Sequence, residues 1–377
     1  MTSGQESSKR GLPIAPYSAI ECLAGTFHPH AIEVQDFSYY ALVIDLRSRE
    51  EYEDDHIPGA VRVELSASNI ERQQTLSDDP TARAGLRYEN GPNDLPEALA
   101  EVVKPVKLDQ AILIYCGSGG RVSLPLAQAL RWRGWTVDVL PGGWINYRRW
   151  VQAALDVLPR LVTFRVIASS LGSEAARVLC ALREVGHQVL DVEGLAGWRR
   201  AALSVPSVPQ PPQAWFESQL LQAFRGLDPR APVWIGDLGA RLGSVLLPGA
   251  LTDALSVAPV AALQVDDTER VKRWEEDEPR LHAEPSEVIG AMASLSPRPS
   301  ESLLTQWRRL ATKGITELLL GSMLSDYIDR VYADEALQRS TARHALPPLA
   351  ADSLTPSALA LSIRAWLPLP TSDAAHG

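Results

Sequence analysis

The amino-acid sequence predicts an α/β protein with two consecutive domains, each built around a parallel sheet. Two runs of strand, helix and strand lead to this prediction, because that order is typical of parallel sheets with helical crossovers. The first run occupies residues 111–140, and the second begins near Leu161. A length of 377 residues is sufficient for two domains with sizeable cores.

Each strand of the first domain is predicted from an apolar run that ends in loop-forming residues. The runs are YALVID at residues 40–45, AILIY at residues 111–115 and TVDVL at residues 136–140. Residues 124–133 have the helical spacing of apolar side chains. Cys116 therefore stands directly after a strand and shortly before a helix.

The second domain is predicted from the same kind of pattern, and residues 336–377 show no clear hydrophobic period. Its strand candidates are residues 161–169, 188–192, 231–236 and 260–265, and its helix candidates are residues 172–185, 213–224 and 300–332. We assign residues 1–34 to an N-terminal tail and lead-in, 35–155 to the first domain, 160–335 to the second domain with its C-terminal helices, and 336–377 to a C-terminal tail.

Composition narrows the classes of function. The net charge of -10 argues against a broad basic surface for nucleic acid, although it leaves room for a local basic patch. Cys22, Cys116 and Cys180 show no CxxC spacing, which favours a reduced, cytoplasmic setting and predicts no metal site. No apolar run of about 18 residues is present, so no membrane span is expected.

The residues after Cys116 have the composition of an anion-binding loop. Residues 116–121 read Cys-Gly-Ser-Gly-Gly-Arg. A nucleophilic thiol reacts as the thiolate, and backbone N–H groups that glycines turn inward favour a negative charge. We therefore predict that Cys116 is catalytic. The predicted substrate- or anion-binding residues are Gly117, Ser118, Gly119, Gly120 and Arg121.

Other readings of the cysteines stay open at this point. Cys116 is alternatively a buried structural thiol beside an ordinary turn, because free cysteines are often buried. The glycine content of the loop favours the interpretation that Cys116 is functional rather than structural. Ser123 is predicted to cap the following helix, and Cys180 is predicted to lie in the core of a second-domain helix.

The Cys116 loop and its surroundings resemble the rhodanese family. Cys116, Gly119 and Arg121 match a CxxGxR loop. Further matching segments are residues 45–47 (DLR), 51–52 (EY), 56–60 (HIPGA) and 141–144 (PGGW). The resemblance implies a rhodanese domain with a central parallel sheet, in which Cys116 carries sulfur or selenium as a persulfide or perselenide. Asp45, Arg47 and His56 are expected to be structural, as an ion-pair brace and a tight turn.

Residues 35–335 also resemble the tRNA 2-selenouridine synthase family. The matching segments are residues 69–72, 143–150, 189–196, 215–217, 232–234 and 327–329. The resemblance implies a P-loop-NTPase-like α/β second domain and a helical C-terminal region. It also implies a tRNA partner whose 2-thiouridine exchanges sulfur for selenium, with selenophosphate or a sulfane-sulfur donor as co-substrate. No cofactor is implied, and the family uses a geranylated intermediate made from geranyl diphosphate.

The phosphate-binding loop of that family is degenerate in this chain. The aligned residues Ser169, Gly172 and Ser173 retain small side chains, but Glu174, Ala175 and Ala176 replace the glycine, lysine and hydroxyl residue of the GxxxxGK[ST] pattern. A carboxylate without the lysine disfavours a polyphosphate. Recognition of phosphate by the second domain is therefore expected to fail.

Three functions remain after this comparison. The first is a synthase-like chalcogen transferase, in which the diphosphate-dependent step is in doubt. The second is a general rhodanese-type sulfurtransferase with the second domain as a scaffold, and the third is a non-catalytic interaction protein, which the intact Cys116 loop disfavours. Arg148, Arg149, Arg199 and Arg200 are either a tRNA-facing patch or solvated and paired helix-end residues.

Overall fold

The structure is a computed structural model of the chain. The structure describes residues 37–71, 95–117, 120–169, 174–198, 209–277, 283–295, 297–331 and 344–367. Within these residues the α/β prediction is confirmed, because two separate sheets are formed entirely of parallel strands.

The first domain is a four-stranded parallel sheet with helices packed against it. Its elements are β1 (Leu42–Asp45), α1 (Arg49–Asp54), β2 (Val61–Arg62), α2 (Glu97–Val103), β3 (Ala111–Tyr115), α3 (Ser123–Trp132), β4 (Thr136–Val139) and α4 (Gly143–Leu161). The strand order is β2-β1-β3-β4. All five residues of β3 are buried, as expected for an interior strand of a parallel sheet. Its C-terminal end therefore holds Cys116 at the middle of one sheet edge.

The second domain is a five-stranded parallel sheet with an added helical layer. Its elements are β5 (Phe164–Ala168), α5 (Glu174–Glu184), β6 (Gln188–Val189), α6 (Val192–Leu195), α7 (Gln213–Arg225), β7 (Val233–Gly236), β8 (Arg241–Leu242), β9 (Val245–Leu246), α8 (Gly249–Val257), β10 (Val260–Val265), α9 (Asp267–Asp277), α10 (Pro285–Ala293), α11 (Glu301–Thr312), α12 (Thr316–Met323), a π-helical turn (Leu324–Ile328), β11 (Leu349–Ala351) and α13 (Pro356–Trp366). The sheet order is β11-β10-β5-β7-β6, and β8 and β9 form a separate antiparallel hairpin.

The C-terminal part of the chain differs from the sequence prediction. Residues 336–377 were assigned to a tail, but β11 pairs in parallel with β10 and extends the second sheet. Helix α13 buries Leu359 and Ile363 in the same core as Trp234 of β7. Within residues 344–367, the chain therefore belongs to the second domain.

Helix α4 joins the two domains. Its buried face includes Tyr147, Trp150 and Val151, which share one core cluster with Val43 of the first sheet and Phe164 of the second sheet. Complete burial of a large apolar side chain stabilises a fold by about 1.5–3 kcal/mol. Since several such side chains lie on one helix, α4 fixes the two sheets relative to each other. The N-terminus of this helix lies against the Cys116 loop.

Candidate active site

Cys116 lies at the C-terminal end of β3 and is almost completely buried, with 6% of its surface exposed. Its carbonyl oxygen accepts a hydrogen bond from the Trp144 N–H at 2.9 Å, and the Gly117 carbonyl accepts one from the Ile145 N–H at 3.1 Å. The first turn of α4 therefore holds the start of the loop in place.

A glycine is required at position 143 for this approach. Gly143 has a φ of +63°, and a Cβ atom at this position would lie 2.4 Å from the Cys116 carbonyl oxygen. No side chain fits at that distance without moving the backbone of the loop. The Gly142-Gly143 pair thus brings α4 close to Cys116.

The far side of the loop returns into α3. Gly120 has a φ of +74°, in the left-handed region that favours glycine, and its carbonyl accepts a hydrogen bond from the Leu124 N–H at 2.8 Å. Ser118 and Gly119 lie outside the described residues, so the inward-facing N–H groups of the loop stay a prediction. Gly117, Gly120 and Arg121 lie where the sequence placed them, between β3 and α3.

Ser123 has a different role from the one predicted for it. It is the first residue of α3, whereas the N-cap position is Val122 and has no side-chain capping hydrogen bond. Its hydroxyl oxygen lies instead 3.4 Å from the Cys116 sulfur, and both side chains are buried. A hydroxyl at this distance can donate a hydrogen bond to a thiolate.

Cys116 opens into a cavity of about 520 Å³, here called the Cys116 cavity. Its described lining comes from the end of β2 and from the segments that follow β1, β2 and β3, because the carboxyl ends of parallel strands meet at one edge of the sheet. The lining residues are Leu46, Arg47, Ser48, Arg49, Glu51, Arg62, Glu64, Leu65, Ile70, Cys116, Gly117, Arg121 and Val122.

Several of these lining residues were not predicted as site residues. Arg49, Arg62 and Glu64 carry charges into the cavity, and Leu65 and Ile70 add apolar surface. Residues 61–62 form the short strand β2, and no apolar run in the sequence predicts it. The sequence could have indicated these residues only indirectly, because residues that follow neighbouring parallel strands meet at one edge of the sheet. That argument first requires β2 to be identified as a strand.

One wall of the cavity is braced by a buried ion pair. Arg47 donates to the Asp45 carboxylate, with Nη2 and Oδ2 2.7 Å apart, and the Tyr115 hydroxyl donates to the same carboxylate at 2.7 Å. The Arg47 guanidinium also stacks 4.6 Å above the Trp144 ring. Burial and the Asp45 charge raise the pKa of Tyr115, which keeps this hydroxyl a donor. These contacts agree with the structural role predicted for Asp45 and Arg47.

His56 lies at the interface between the domains. Its ring stacks on Tyr52 with 3.8 Å between centroids and on Trp215 of α7 with 4.2 Å between centroids. Desolvation by burial lowers the pKa of His56, so the ring is neutral at neutral pH. This packing agrees with the structural role predicted for His56.

Arg148 is paired within the protein. Its guanidinium lies 3.4 Å from the Asp55 carboxylate, hydrogen-bonds to Glu217, and donates to the Ala214 carbonyl at 3.0 Å. Its side chain is only 11% exposed. Of the four arginines considered for a tRNA-facing patch, Arg148 is thus a paired interface residue.

The other members of that predicted patch give no further support for it. Arg149 is exposed on α4, whereas Arg199 and Arg200 lie outside the described residues.

The two remaining cysteines also differ from one another. Cys180 is exposed on α5, which makes the prediction of a core position wrong, and Cys22 lies outside the described residues.

At the degenerate phosphate loop, the start of α5 carries a buried carboxylate. Glu174 is 5% exposed and accepts a hydrogen bond from Nε of Arg270 at 3.0 Å. Desolvation by burial is the largest cause that raises the pKa of Glu174, from its ordinary 4.5 to about 7. Arg270 also donates to Asp329 at 2.8 Å and to Asp267 at 2.9 Å, so three carboxylates share one guanidinium.

This cluster occupies the edge of the sheet at which a P-loop domain binds phosphate. Ser169 directly follows the central strand β5, Gly172 and Ser173 lie outside the described residues, and Ala175 and Ala176 lie in the first turn of α5. The described residues at this edge thus present an internal carboxylate, already paired with Arg270, and no lysine.

Among the described residues, no group of three or more His, Cys, Asp or Glu side chains is arranged to hold a metal ion. No helix in the described ranges is long and apolar enough to cross a membrane.

Two protein-family models match the chain. A rhodanese-like domain matches residues 32–149, and a tRNA 2-selenouridine synthase AAA domain matches residues 162–319.

Individual relatives carry the name tRNA 2-selenouridine synthase. The chain is 28% identical to the protein of Nitrosomonas europaea over 223 residues, which is 55% of each chain. It is 27% identical to the Cronobacter sakazakii protein, over 62% of this chain and 64% of that one. It is 25% identical to the Shewanella sp. (strain MR-7) protein, over 80% and 82% of the two chains. The matched region therefore spans about half to two thirds of the first two relatives and most of the third.

Proposed function

Because the chain belongs to the tRNA 2-selenouridine synthase family, we propose that it transfers sulfur or selenium to the 2-thiouridine of a tRNA through a persulfide or perselenide on Cys116. The observation that carries this proposal is the position of the Cys116 thiol in a cavity lined by several arginines. An arginine-lined cavity favours anionic donors and stabilises the charge that develops as they react.

The first step loads Cys116 from a sulfane-sulfur donor. The thiolate attacks the outer sulfur of thiosulfate, an S–S bond forms on Cys116, and sulfite leaves with the electron pair of the bond that breaks. Ser123, whose hydroxyl lies 3.4 Å from the sulfur, stabilises the thiolate before attack. A donor with zero-valent selenium loads the residue in the same way.

Selenophosphate is not a direct source of the perselenide. Its selenium is already at the selenide level, so forming a perselenide from it would require an oxidant. As a co-substrate, it would act as a selenium nucleophile instead. Electron balance thus limits the loading step to donors that carry sulfane sulfur or its selenium equivalent.

The second step delivers the outer atom to the base. The outer sulfur or selenium attacks C2 of the pyrimidine, and the sulfur already on C2 leaves as hydrosulfide. A small thiol then attacks the Cys116 sulfur and breaks its bond to the new atom, which stays on C2 as the reduced chalcogen. The resulting mixed disulfide on Cys116 is reduced by a second thiol, so two thiols become one disulfide per turnover.

The diphosphate-dependent step of the family is lost in this chain. The support for this loss is the buried ion pair of Glu174 and Arg270, because the arginine is already shared among carboxylates of the protein. Geranyl diphosphate would bring further negative charge to a site that already holds more carboxylates than cations. The same observation favours a second candidate function, a general rhodanese-type sulfurtransferase whose second domain is a scaffold.

The loading step can be tested by intact mass. Purified protein is incubated with thiosulfate, and an adduct of about 32 Da, the mass of one sulfur atom, is expected on the native chain. Cys116→Ala should abolish the adduct, whereas Cys180→Ala, which removes an exposed thiol outside the cavity, should retain it. An adduct that persists in Cys116→Ala, or that is absent from the native chain, contradicts the proposed function.

A further inference from the structure

The Cys116 cavity is larger than the transfer of a single sulfur atom requires. Its volume is about 520 Å³. Thiosulfate has five heavy atoms and needs roughly 150 Å³ at the ~30 Å³ that one water occupies in the liquid. Ligands of nucleotide size occupy cavities of about 300–1,000 Å³. The cavity therefore has room for a larger occupant.

The walls of the cavity are suited to an apolar face. Leu46, Leu65, Ile70 and Val122 line it together with the Cys116 thiol. An oxyanion gains nothing from aliphatic walls, because its charge must keep polar partners. A pyrimidine ring has two apolar faces and a polar edge, and proteins bind unstacked bases by covering those faces.

Two arginines that line the cavity are held in exposed or partly exposed ion pairs. Arg62 Nη2 lies 2.9 Å from Glu64, and their side chains are 19% and 79% exposed. Arg49 Nε lies 2.7 Å from Glu53, and their side chains are 77% and 60% exposed. Such pairs are weak in water, so a phosphate, which matches the guanidinium fork, can replace the carboxylate.

We propose that the Cys116 cavity receives one pyrimidine nucleotide extruded from a single-stranded part of the RNA acceptor, and that Arg49 and Arg62 bind the phosphates flanking it. The proposal rests on the proposed function, because it names how that function's acceptor is held. Arg121 and the Gly-rich loop remain assigned to the small anionic donor.

The nucleotide must be extruded because the Cys116 thiol is buried. Cys116 is 6% exposed, so an atom on a base stacked inside a strand has no direct path to its sulfur. Enzymes that modify a base inside a nucleic acid take it out of the stack and bind it in a fitted pocket. The chain's net charge of -10 makes local arginines the means of holding the adjoining phosphates.

The full-length chain can be tested with a fluorescent single-stranded RNA that contains one 2-thiouridine, using anisotropy at several salt concentrations. Arg49→Ala and Arg62→Ala are each expected to weaken binding on the order of fivefold and to lower the salt slope by roughly 0.7. Glu64→Gln removes the competing carboxylate and should strengthen binding about twofold to fivefold. Arg298→Ala, which removes an exposed arginine paired with Glu301, is the matched control.

Thiosulfate loading of the same variants separates this proposal from the proposed function. Arg49→Ala and Arg62→Ala should reduce RNA affinity by a larger factor than they reduce the rate of sulfur loading. The proposal is overturned if the native chain does not bind the RNA, if Arg49→Ala and Arg62→Ala bind like Arg298→Ala, or if loading falls as much as RNA affinity. Failure of the native chain to load sulfur would instead contradict the proposed function.

Discussion

Glu174 and Arg270 form a buried ion pair, with Oε1 and Nε 3.0 Å apart, although 96 residues separate them in sequence. The pair joins the start of α5, at the degenerate phosphate loop, to the helical layer that follows the second sheet. Arg270 also binds Asp329 and Asp267, so this one guanidinium balances three carboxylates. A carboxylate of the second domain itself, already paired with Arg270, thus lies at the start of α5.

A first prediction concerns the pH dependence of stability. The pKa of Glu174 is raised from 4.5 to about 7 in the fold, so between these values the folded chain binds more protons than the unfolded chain. The stabilisation is fully present below pH 4.5 and is lost as the pH rises through 7. Glu174→Gln removes this titration. From about pH 5 to about pH 8, native stability should therefore fall relative to the variant by on the order of 1–3 kcal/mol.

Denaturant unfolding of both proteins across this pH range provides the measurement. Glu317→Gln, which changes an exposed glutamate in the first turn of α12, is the control and should follow the native curve within about 0.5 kcal/mol. Parallel curves for the native chain and Glu174→Gln would show that Glu174 does not titrate in this window.

A second prediction concerns ligand binding by the second domain. Inorganic pyrophosphate should leave the melting temperature of the native chain unchanged, because Glu174 opposes a polyphosphate and Ala175 supplies no cation. A ligand that binds only the folded state adds about 2.7 kcal/mol at one hundred times its Kd, which is readily detected. Sodium sulfate at equal ionic strength is the control. A rise in melting temperature specific to pyrophosphate would contradict the loss of the diphosphate step.

A third prediction concerns the domain interface. Arg148→Ala removes the cation beside Asp55, which is completely buried, and the partner of Glu217. Breaking a buried pair from one side costs about 3–5 kcal/mol, and water that enters next to Glu217 reduces this, so a loss of about 2–4 kcal/mol is expected in denaturant unfolding. The neighbouring exposed residue provides the control, since Arg149→Ala should change stability by less than about 0.5 kcal/mol. Equal effects of the two substitutions would argue against the interface role.

A fourth prediction concerns the approach of α4 to the Cys116 loop. Gly143→Ala places a Cβ atom 2.4 Å from the Cys116 carbonyl oxygen at a φ of +63°. The backbone must move, so we expect destabilisation of at least about 1–3 kcal/mol and slower sulfur loading of Cys116. Gly249→Ala meets no atom within 4 Å and should behave like the native chain. Native loading by Gly143→Ala would show that the contact does not position Cys116.

The sequence was sufficient to place Cys116 because its surroundings follow local rules. The strand that precedes it is a continuous apolar run, and the glycines that follow it have few alternatives to a tight loop. Local patterns do not show contacts between distant residues. The ion pair of Glu174 with Arg270 and the position of Ser123 beside Cys116 arise only from packing.

Short elements explain the remaining differences. Strand β2 has two residues and β11 has three, so neither has a hydrophobic period of its own, and both form because a longer strand offers its hydrogen-bonding edge. Because β2 was not predicted, Arg62 was not identified as a cavity residue. Because β11 was not predicted, the C-terminal residues were assigned to a tail. Cys180 was misplaced because one residue on an amphipathic helix does not reveal which face it occupies.

We propose that Cys116 passes its outer chalcogen to a base in RNA. The most direct test is a single-turnover experiment in which Cys116 is loaded with isotopically labelled sulfur, freed of donor, and mixed with 2-thiouridine tRNA and a small thiol. We predict loss of label from the protein and its appearance at C2 of the modified nucleoside, with no transfer by Cys116→Ala. Label that stays on Cys116 with tRNA but passes readily to cyanide would contradict the claim and identify a general sulfurtransferase.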